Sequence, residues 1–245
     1  MKTYVVNMEK DTHKRELITK QLKQHPELDY QIWKAVEGRK LSDEEQRTMI
    51  APEFFLKYKT HGTLPAVGCS LSHYYIYKDM AEKNVPCALV LEDDAILSDN
   101  MHLDELSKYL EVDKPVVILL SPEFWYWEKD IQGTIDENHY IYRLSNGLMT
   151  SGYLINLAAA RMLEGIVYPV KYLADSWADF VKMGLTLYGI VPHLTSYPEG
   201  LGEIGRSQQK QSLYIRLRMP LVKVYLAYLR WRKSMTGEKR SKRLW

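Results

Sequence analysis

Apolar and polar positions change rhythm several times along the chain, and each change predicts an element. Residues 3–8 (TYVVNM) form a short β-rich apolar run and read as a buried strand. Asp11 or Thr12 is placed to cap a helix carrying Leu17, Ile18 and Leu22 at helical spacing, ending near Pro26. Residues 30–35 alternate like a second strand, and Ser42 to Glu45 is a capping box opening a short helix. Residues 68–82 read as a helix. Residues 87–91 (CALVL) form a strongly apolar strand that stops abruptly at Glu92-Asp93-Asp94, and residues 116–120 (VVILL) form another. Residues 125–127 and 140–144 flank a turn around Gly133 and predict an antiparallel hairpin. Strands at 153–155 and 186–191 alternate with helices at 158–164 and 175–183. Beyond Ser212 the pattern is helical and basic. Strands alternating with helices predict an α/β protein with a mostly parallel sheet covered on both faces. The hairpin makes that sheet mixed.

Composition narrows the class. With 46% hydrophobic and 26% charged residues over 245 positions, a globular body with a substantial core is expected rather than a disordered chain. Two cysteines, Cys69 and Cys87, make no disulfide scaffold, so reduced thiols are expected. The N-terminal apolar stretch is too short for a signal peptide, and no run approaches the ~20 residues of a membrane span. The net charge of +2 conceals an asymmetry: twelve basic residues and one acid follow position 205, which leaves 21 basic and 30 acidic residues before it. An acidic body (1–205, formal charge −9) therefore carries a basic tail (206–245, formal charge +11). Such a tail is expected to meet a polyanion. Nucleic acid is not the expected one, because a duplex-binding face should be basic across the fold.

The sharpest candidate chemistry is LVLEDDA, residues 89–95. Three acids directly after an apolar strand are costly unless a cation neutralises them. Ligands collect at the carboxyl ends of strands in open α/β sheets, and carboxylates suit Mg²⁺ or Mn²⁺ bound together with substrate phosphates. Strand alternation puts Glu92 and Asp94 on one side and Asp93 on the other, so Glu92 and Asp94 are the candidate metal ligands. A solvated acidic turn is the plainer reading of the same residues. Asp175 and Asp179 (ADSWADF) lie four apart, hence on one helix face, and are candidate general bases; an acidic first helical turn is the alternative. His73 sits on an aromatic-rich helix, where a lone histidine is more often a hydrogen-bonded packing residue than a catalyst, and nothing local distinguishes the two. His193, after a strand, is a further candidate metal ligand. The GLGEIG run at 200–205 lacks a βαβ opening and is not a dinucleotide site. No HExxH, Walker loop, CxxC pair or GxSxG elbow is present.

Five segments in order resemble glycosyltransferase family 25, the bacterial lipooligosaccharide galactosyltransferases, whose core collagen galactosyltransferases share. They are VVNMEKDTHKRE (5–16), KAVEGRKL (34–41), GCSLSHYYIY (68–77), LVLEDDAIL (89–97) and TSGYLINLAAARML (150–163). The resemblance implies a GT-A-like open mixed sheet, a UDP-sugar donor, typically UDP-galactose, and Mn²⁺ or Mg²⁺, with inversion at the transferred sugar. It implies donor contacts from Asn7 and Arg15, from the Val36-Glu37-Gly38 turn, from His73 and from Asp93. The metal would fall to Glu92, Asp94 and His193, and the acceptor proton to Asp175 or Asp179. In the segment YPVKYLADSW the spacing before Asp175 departs from the family pattern. A glycolipid or oligosaccharide acceptor fits a tail of basic, aromatic and aliphatic residues lying on an anionic membrane. A peripheral protein on the inner face of the cytoplasmic membrane is therefore expected, the alternative being a tail that packs as a core helix with a frayed basic end. The alternative is a non-catalytic carbohydrate- or nucleotide-sugar-binding protein on the same fold.

Overall fold

A computed structural model describes residues 1–59, 61–198 and 238–241. The first half runs β1 (Lys2–Asn7), α1 (Thr12–Leu22), β2 (Asp29–Lys34), a 3-10 turn (Gly38–Lys40), α2 (Asp43–Met49), α3 (Phe54–Lys57) and α4 (Leu64–Lys83). β3 (Cys87–Glu92), β4 (Ile96–Leu97), α5 (Leu103–Ser107), β5 (Val116–Leu119), β6 (Trp125–Trp127), β7 (Ile131–Thr134) and β8 (Tyr140–Arg143) follow. The rest comprises β9 (Gly152–Asn156), α6 (Leu157–Val167), α7 (Trp177–Lys182), β10 (Thr186–Val191), β11 (Thr195–Ser196) and β12 (Glu238–Arg240).

Eight strands form one open sheet in the order β2-β1-β3-β9-β5-β10-β8-β7. β1 runs parallel to β2 and β3, and β5 parallel to β10, whereas β9 is antiparallel to both β3 and β5. The hairpin β7–β8 closes the far edge on β10. This is the expected mixed sheet, most of whose strands point one way. Alternation along the strands supplies both cores. Tyr4, Val90, Tyr153 and Ile155 face α4, α6 and α7 with Tyr77, Met80, Leu163 and Trp177, while Val5, Leu89, Leu91 and Leu154 face α1 with Ile18 and Leu22. Burying aliphatic side chains such as Leu89 and Leu154 contributes roughly 1.5–3 kcal/mol each.

Local sequence explains several boundaries. Ser42 and Glu45 complete a reciprocal capping box at α2. α4 begins earlier than its apolar periodicity suggests, because Thr63 caps it and Pro65 sits in its first turn, where the missing N–H is harmless. Just before α4 in the fold, the 3-10 turn presses on its opening residues. A Cβ on Gly38 would lie 1.7 Å from the Leu64 carbonyl oxygen, and one on Gly68 would lie 2.4 Å from that of Val36.

Three expectations are corrected. The hairpin pairs β8 with β7 rather than with residues 125–127, which pair with β12. α7 starts at Trp177 instead of residue 175, since the Trp177 N–H donates to the Asp175 carbonyl and Ser176 takes the cap position. Asp175 and Asp179 are therefore not neighbours on one helix face. Within the basic tail, residues 238–240 are a strand rather than a helix, and Ser241 docks on Phe124, whose carbonyl accepts the Ser241 N–H at 2.8 Å. The rest of the tail lies outside the described residues.

Candidate functional site

The register sets the site. Val6 pairs with Glu92 and Gly152 with Leu91, so Asn7, the Glu92-Asp93-Asp94 acids and Thr150-Ser151 meet at one rim of the sheet. β3 ends at Glu92, and the Ala95 N–H returns to the Glu92 carbonyl at 3.1 Å. In that turn strand alternation no longer holds. Lys14 joins Asp93 to Asp94: its Nζ donates to Asp93 Oδ1 at 3.0 Å and to Asp94 Oδ2 at 2.9 Å. Asn7 Nδ2 donates to Asp93 Oδ2 at 2.8 Å. Glu92 turns the other way, where its Oε1 accepts the Thr150 hydroxyl at 2.5 Å and lies 4.0 Å from His73 Nε2.

Burial opposes the charge of Lys14 and of Asp93, with opposite outcomes. It would depress Lys14, yet the bonds and attraction to Asp94 and then Asp93 raise its pKa overall. For Asp93 burial is the largest influence and raises the pKa, while Lys14 and Asn7 pull it down. Burial prevails, and the Asp93 pKa lies above its ordinary value. Asn7 Oδ1, Ser151 Oγ and Thr195 Oγ1 are buried at this rim with no hydrogen-bond partner. Buried polar atoms are nearly always paired, so three orphans beside an acid pair mark a place where something else binds. Carboxylate and amide oxygens are also the donor set that Mg²⁺ and Mn²⁺ take.

Other candidates fall in different places. Asp175 reaches the rim through the chain before Thr150: its Oδ2 accepts the Met149 N–H at 3.2 Å, and Trp177 Nε1 donates to the Met149 carbonyl at 3.0 Å. Asp179 instead accepts from Lys57 at 2.7 Å, with that ammonium 4.1 Å from the Tyr172 ring. His193 is buried edge-on to Phe124, with centroids 5.4 Å apart. Among the described residues, Glu92, Asp94 and His193 do not form a set with ligand atoms within 4.8 Å of each other. The Val36 N–H donates to Ser72 Oγ at 2.8 Å, which ties the Val36-Glu37-Gly38 turn to α4. Glu37 is held below its ordinary pKa chiefly by Lys40, 2.8 Å away. Arg15 is half-buried on α1 next to Lys14. Sequence reasoning missed Lys14 and Thr150. Their segments were noticed, but no spacing rule links Lys14 to Asp93, 79 positions on, or Thr150 to Glu92, 58 positions back.

Glu92 carries a testable pH signature. Burial, then the charge of Asp94, raises its pKa from 4.5 to about 7 against the Thr150 hydroxyl. Between those values the folded protein holds a proton that the unfolded chain has lost. Stability from Glu92 is thus complete below pH 4.5 and fades as pH rises through 7. His73 acts in the opposite sense. Burial lowers its pKa from 6.5 to about 4, so its contribution is complete above 6.5 and is lost as pH falls toward 4. In metal-free protein, Glu92→Gln should match wild type below pH 4.5 and exceed its stability above pH 7. The gain is at most about 3 kcal/mol, at about 1.36 kcal/mol per pKa unit. Urea unfolding across that range checks this, and a pH-independent difference contradicts it.

A family profile described as glycosyltransferase family 25 (LPS biosynthesis protein) matches residues 1–178. The chain belongs to that family. A glycosyltransferase 25 family member of Aedes aegypti is 38% identical over 98 residues, covering 37% of this chain and 16% of its own. The putative glycosyltransferase R655 of Acanthamoeba polyphaga mimivirus is 24% identical over 205 residues, covering 79% of this chain and 61% of its own. The chain thus spans less than two-thirds of either relative. The solved galactosyltransferase LgtC, in complex with donor and acceptor sugar analogs, aligns with 76% of this chain and 73% of its own at 15% identity and a TM-score of 0.39.

Proposed function

We propose that this protein is a glycosyltransferase that moves a hexose, galactose, from a UDP-sugar to a hydroxyl of a lipooligosaccharide or lipopolysaccharide glycan, with inversion. Family membership supports the reaction class, and the family description supports the acceptor class. The observation that carries the reading at the site is the Asp93–Asp94 pair gathered on Lys14 beside the orphaned Asn7 Oδ1. Those oxygens would hold Mn²⁺ or Mg²⁺, which supplies Lewis-acid stabilisation to a diphosphate leaving group. Lys14, freed from one carboxylate, adds a second positive charge where the UDP oxygens become more negative. Asp175 is the preferred base. It lies at the rim, and it must come within about 2.6–3.2 Å of the acceptor hydroxyl, directly or through one water. Asp179 is less suited, since protonation would cost it the bond to Lys57.

UDP release from UDP-galactose, UDP-glucose and UDP-N-acetyl sugars, with Mn²⁺ or with chelator, tests the reading. Metal-dependent release, fastest from UDP-galactose, is expected. Release from none of them contradicts transfer, and UDP binding without release points to a nucleotide-sugar-binding protein instead.

The basic tail is assigned to an anionic membrane face, where a glycolipid acceptor resides. Among the described residues no helix is long and apolar enough to cross a membrane. Full-length protein should pellet with anionic vesicles and not with zwitterionic ones, and salt should release it. Equal pelleting with both contradicts this assignment.

A further inference from the structure

Three side chains that the diphosphate site leaves unused converge behind the rim. Cys69 and His73 stand four residues apart on α4, hence on one helix face, and both turn toward Glu92 at the end of β3. The cysteine sulfur, a ring nitrogen of the histidine and a carboxylate oxygen of the glutamate all lie within 4.8 Å of one another. His73 is 1% exposed. Its Nδ1 is 2.8 Å from the Tyr153 hydroxyl, which is itself 3.1 Å from that of Tyr77. Its Nε2 is buried without a hydrogen-bond partner and faces Glu92 Oε1 across 4.0 Å.

With Nδ1–H donating to Tyr153, Nε2 presents a lone pair to a carboxylate oxygen. Two acceptors facing each other need a positive centre between them, a proton on Glu92 in the metal-free protein or a metal ion in its place. An imidazole whose second nitrogen is fixed by a hydrogen bond is also how metal-binding histidines are commonly oriented. The Thr150 hydroxyl donates to Glu92 Oε1 and so orients that carboxylate. Thiolate, imidazole and carboxylate together are the donors of Zn²⁺ and its neighbours, not of Mg²⁺. Two anionic ligands and a dication sum to zero, which removes most of the cost of burying either anion alone. Cys69 and Glu92 are each only partly buried.

We propose that Cys69, His73 and Glu92 form a three-ligand site for a borderline transition-metal ion of the Zn²⁺ or Co²⁺ kind, with the fourth position open to water. It is separate from the cation assigned to Asp93 and Asp94, and it does not depend on the transfer reaction. Tetrahedral ligation needs donor separations of about 3.3–3.6 Å, so movements under about 1.5 Å complete the site.

Chelator-treated full-length protein is titrated with Zn²⁺ by calorimetry and with Co²⁺ by absorption. One equivalent of either ion is expected, with a thiolate-to-cobalt charge-transfer band and tetrahedral visible bands. Cys69→Ser should abolish the charge-transfer band while Cys87→Ser and Asp93→Asn keep it. His73→Gln should weaken Zn²⁺ by more than about 100-fold, beyond the ~10–100-fold of outer-shell changes. A wild-type cobalt spectrum without the thiolate band overturns the proposal, whether or not the variants fold. So does uptake that His139→Ala removes and Cys69→Ser does not, since that places the ion on the His102–Asp136–His139 cluster.

Discussion

Asp93→Asn should lower kcat/KM for UDP-sugar turnover by about 10²–10³-fold, the loss typical when one charge-stabilising group leaves an active site. Both oxygens of Asp93 are engaged, one with Asn7 and one with Lys14. An amide offers only one acceptor. Its NH₂ must then face either the Asn7 NH₂ or the Lys14 ammonium, donor against donor. Lys14 is left tethered by Asp94 alone, so the cation site and the positive charge beside it are displaced together. The fold should survive, because Lys14 is half-exposed and can be rehydrated. Steady-state kinetics and Mn²⁺-assisted UDP calorimetry provide the check, with Asp104→Asn, an exposed acid on α5, as control. Unchanged turnover by Asp93→Asn would remove the acid rim from the mechanism.

Gly38→Ala should be the most destabilising single methyl added to this chain among the glycines of the described residues. The new carbon would lie 1.7 Å from the Leu64 carbonyl oxygen, 2.7 Å from its carbon and 2.9 Å from the Gly68 nitrogen. All three are backbone atoms at the start of α4, so no side chain can swing aside. Either the Val36-Glu37-Gly38 turn lifts off α4 or the helix shifts, and the Val36 bond to Ser72 is broken with it. A loss of at least about 3 kcal/mol is expected, the upper end of ordinary overpacking. In a protein of this size that lowers Tm by roughly 6–12 °C. Gly165→Ala makes the contrast: it lies inside α6, where an added Cβ meets nothing within 4 Å. That variant should gain about 0.4–1 kcal/mol by restricting the unfolded chain. Equal melting temperatures for the two variants would show that the turn is not locked against the helix.

Much of this arrangement is written locally. The apolar runs at β1, β3, β5 and β10 needed only composition and length to be read as strands, and β10 begins and ends where its sequence pattern does. Capping chemistry is equally local, as Ser42 and Glu45 show. The errors share one cause. Trp125–Trp127 has strand-like residues but finds its partner in β12, more than a hundred positions away, and pairing over such a distance leaves no short-range trace. Asp175 sits in a stretch with helical composition, yet the turn closed by the Trp177 N–H excludes it from α7. The same limit applies at the site. LEDD announced itself as an acid cluster after a strand, whereas the rule of alternation that divided its members expired one residue past Glu92. Lys14 looked like any surface lysine of an amphipathic helix until α1 packed against the end of β3. Cys69 and His73 had the right spacing for a shared face, with nothing nearby to show that a glutamate would complete it.

By itself the sequence determined the elements, their α/β alternation, the family and the acidic segment at the strand end, because each depends on neighbours within a few residues. Only the tertiary structure decided that Lys14 joins Asp93 to Asp94, that Asp175 bonds to Met149 while Asp179 bonds to Lys57, and that Glu92 lies near His73 and Cys69. Those assignments turn on distances of about 3–5 Å between side chains far apart in the chain, set by strand register and helix packing, which no local pattern records.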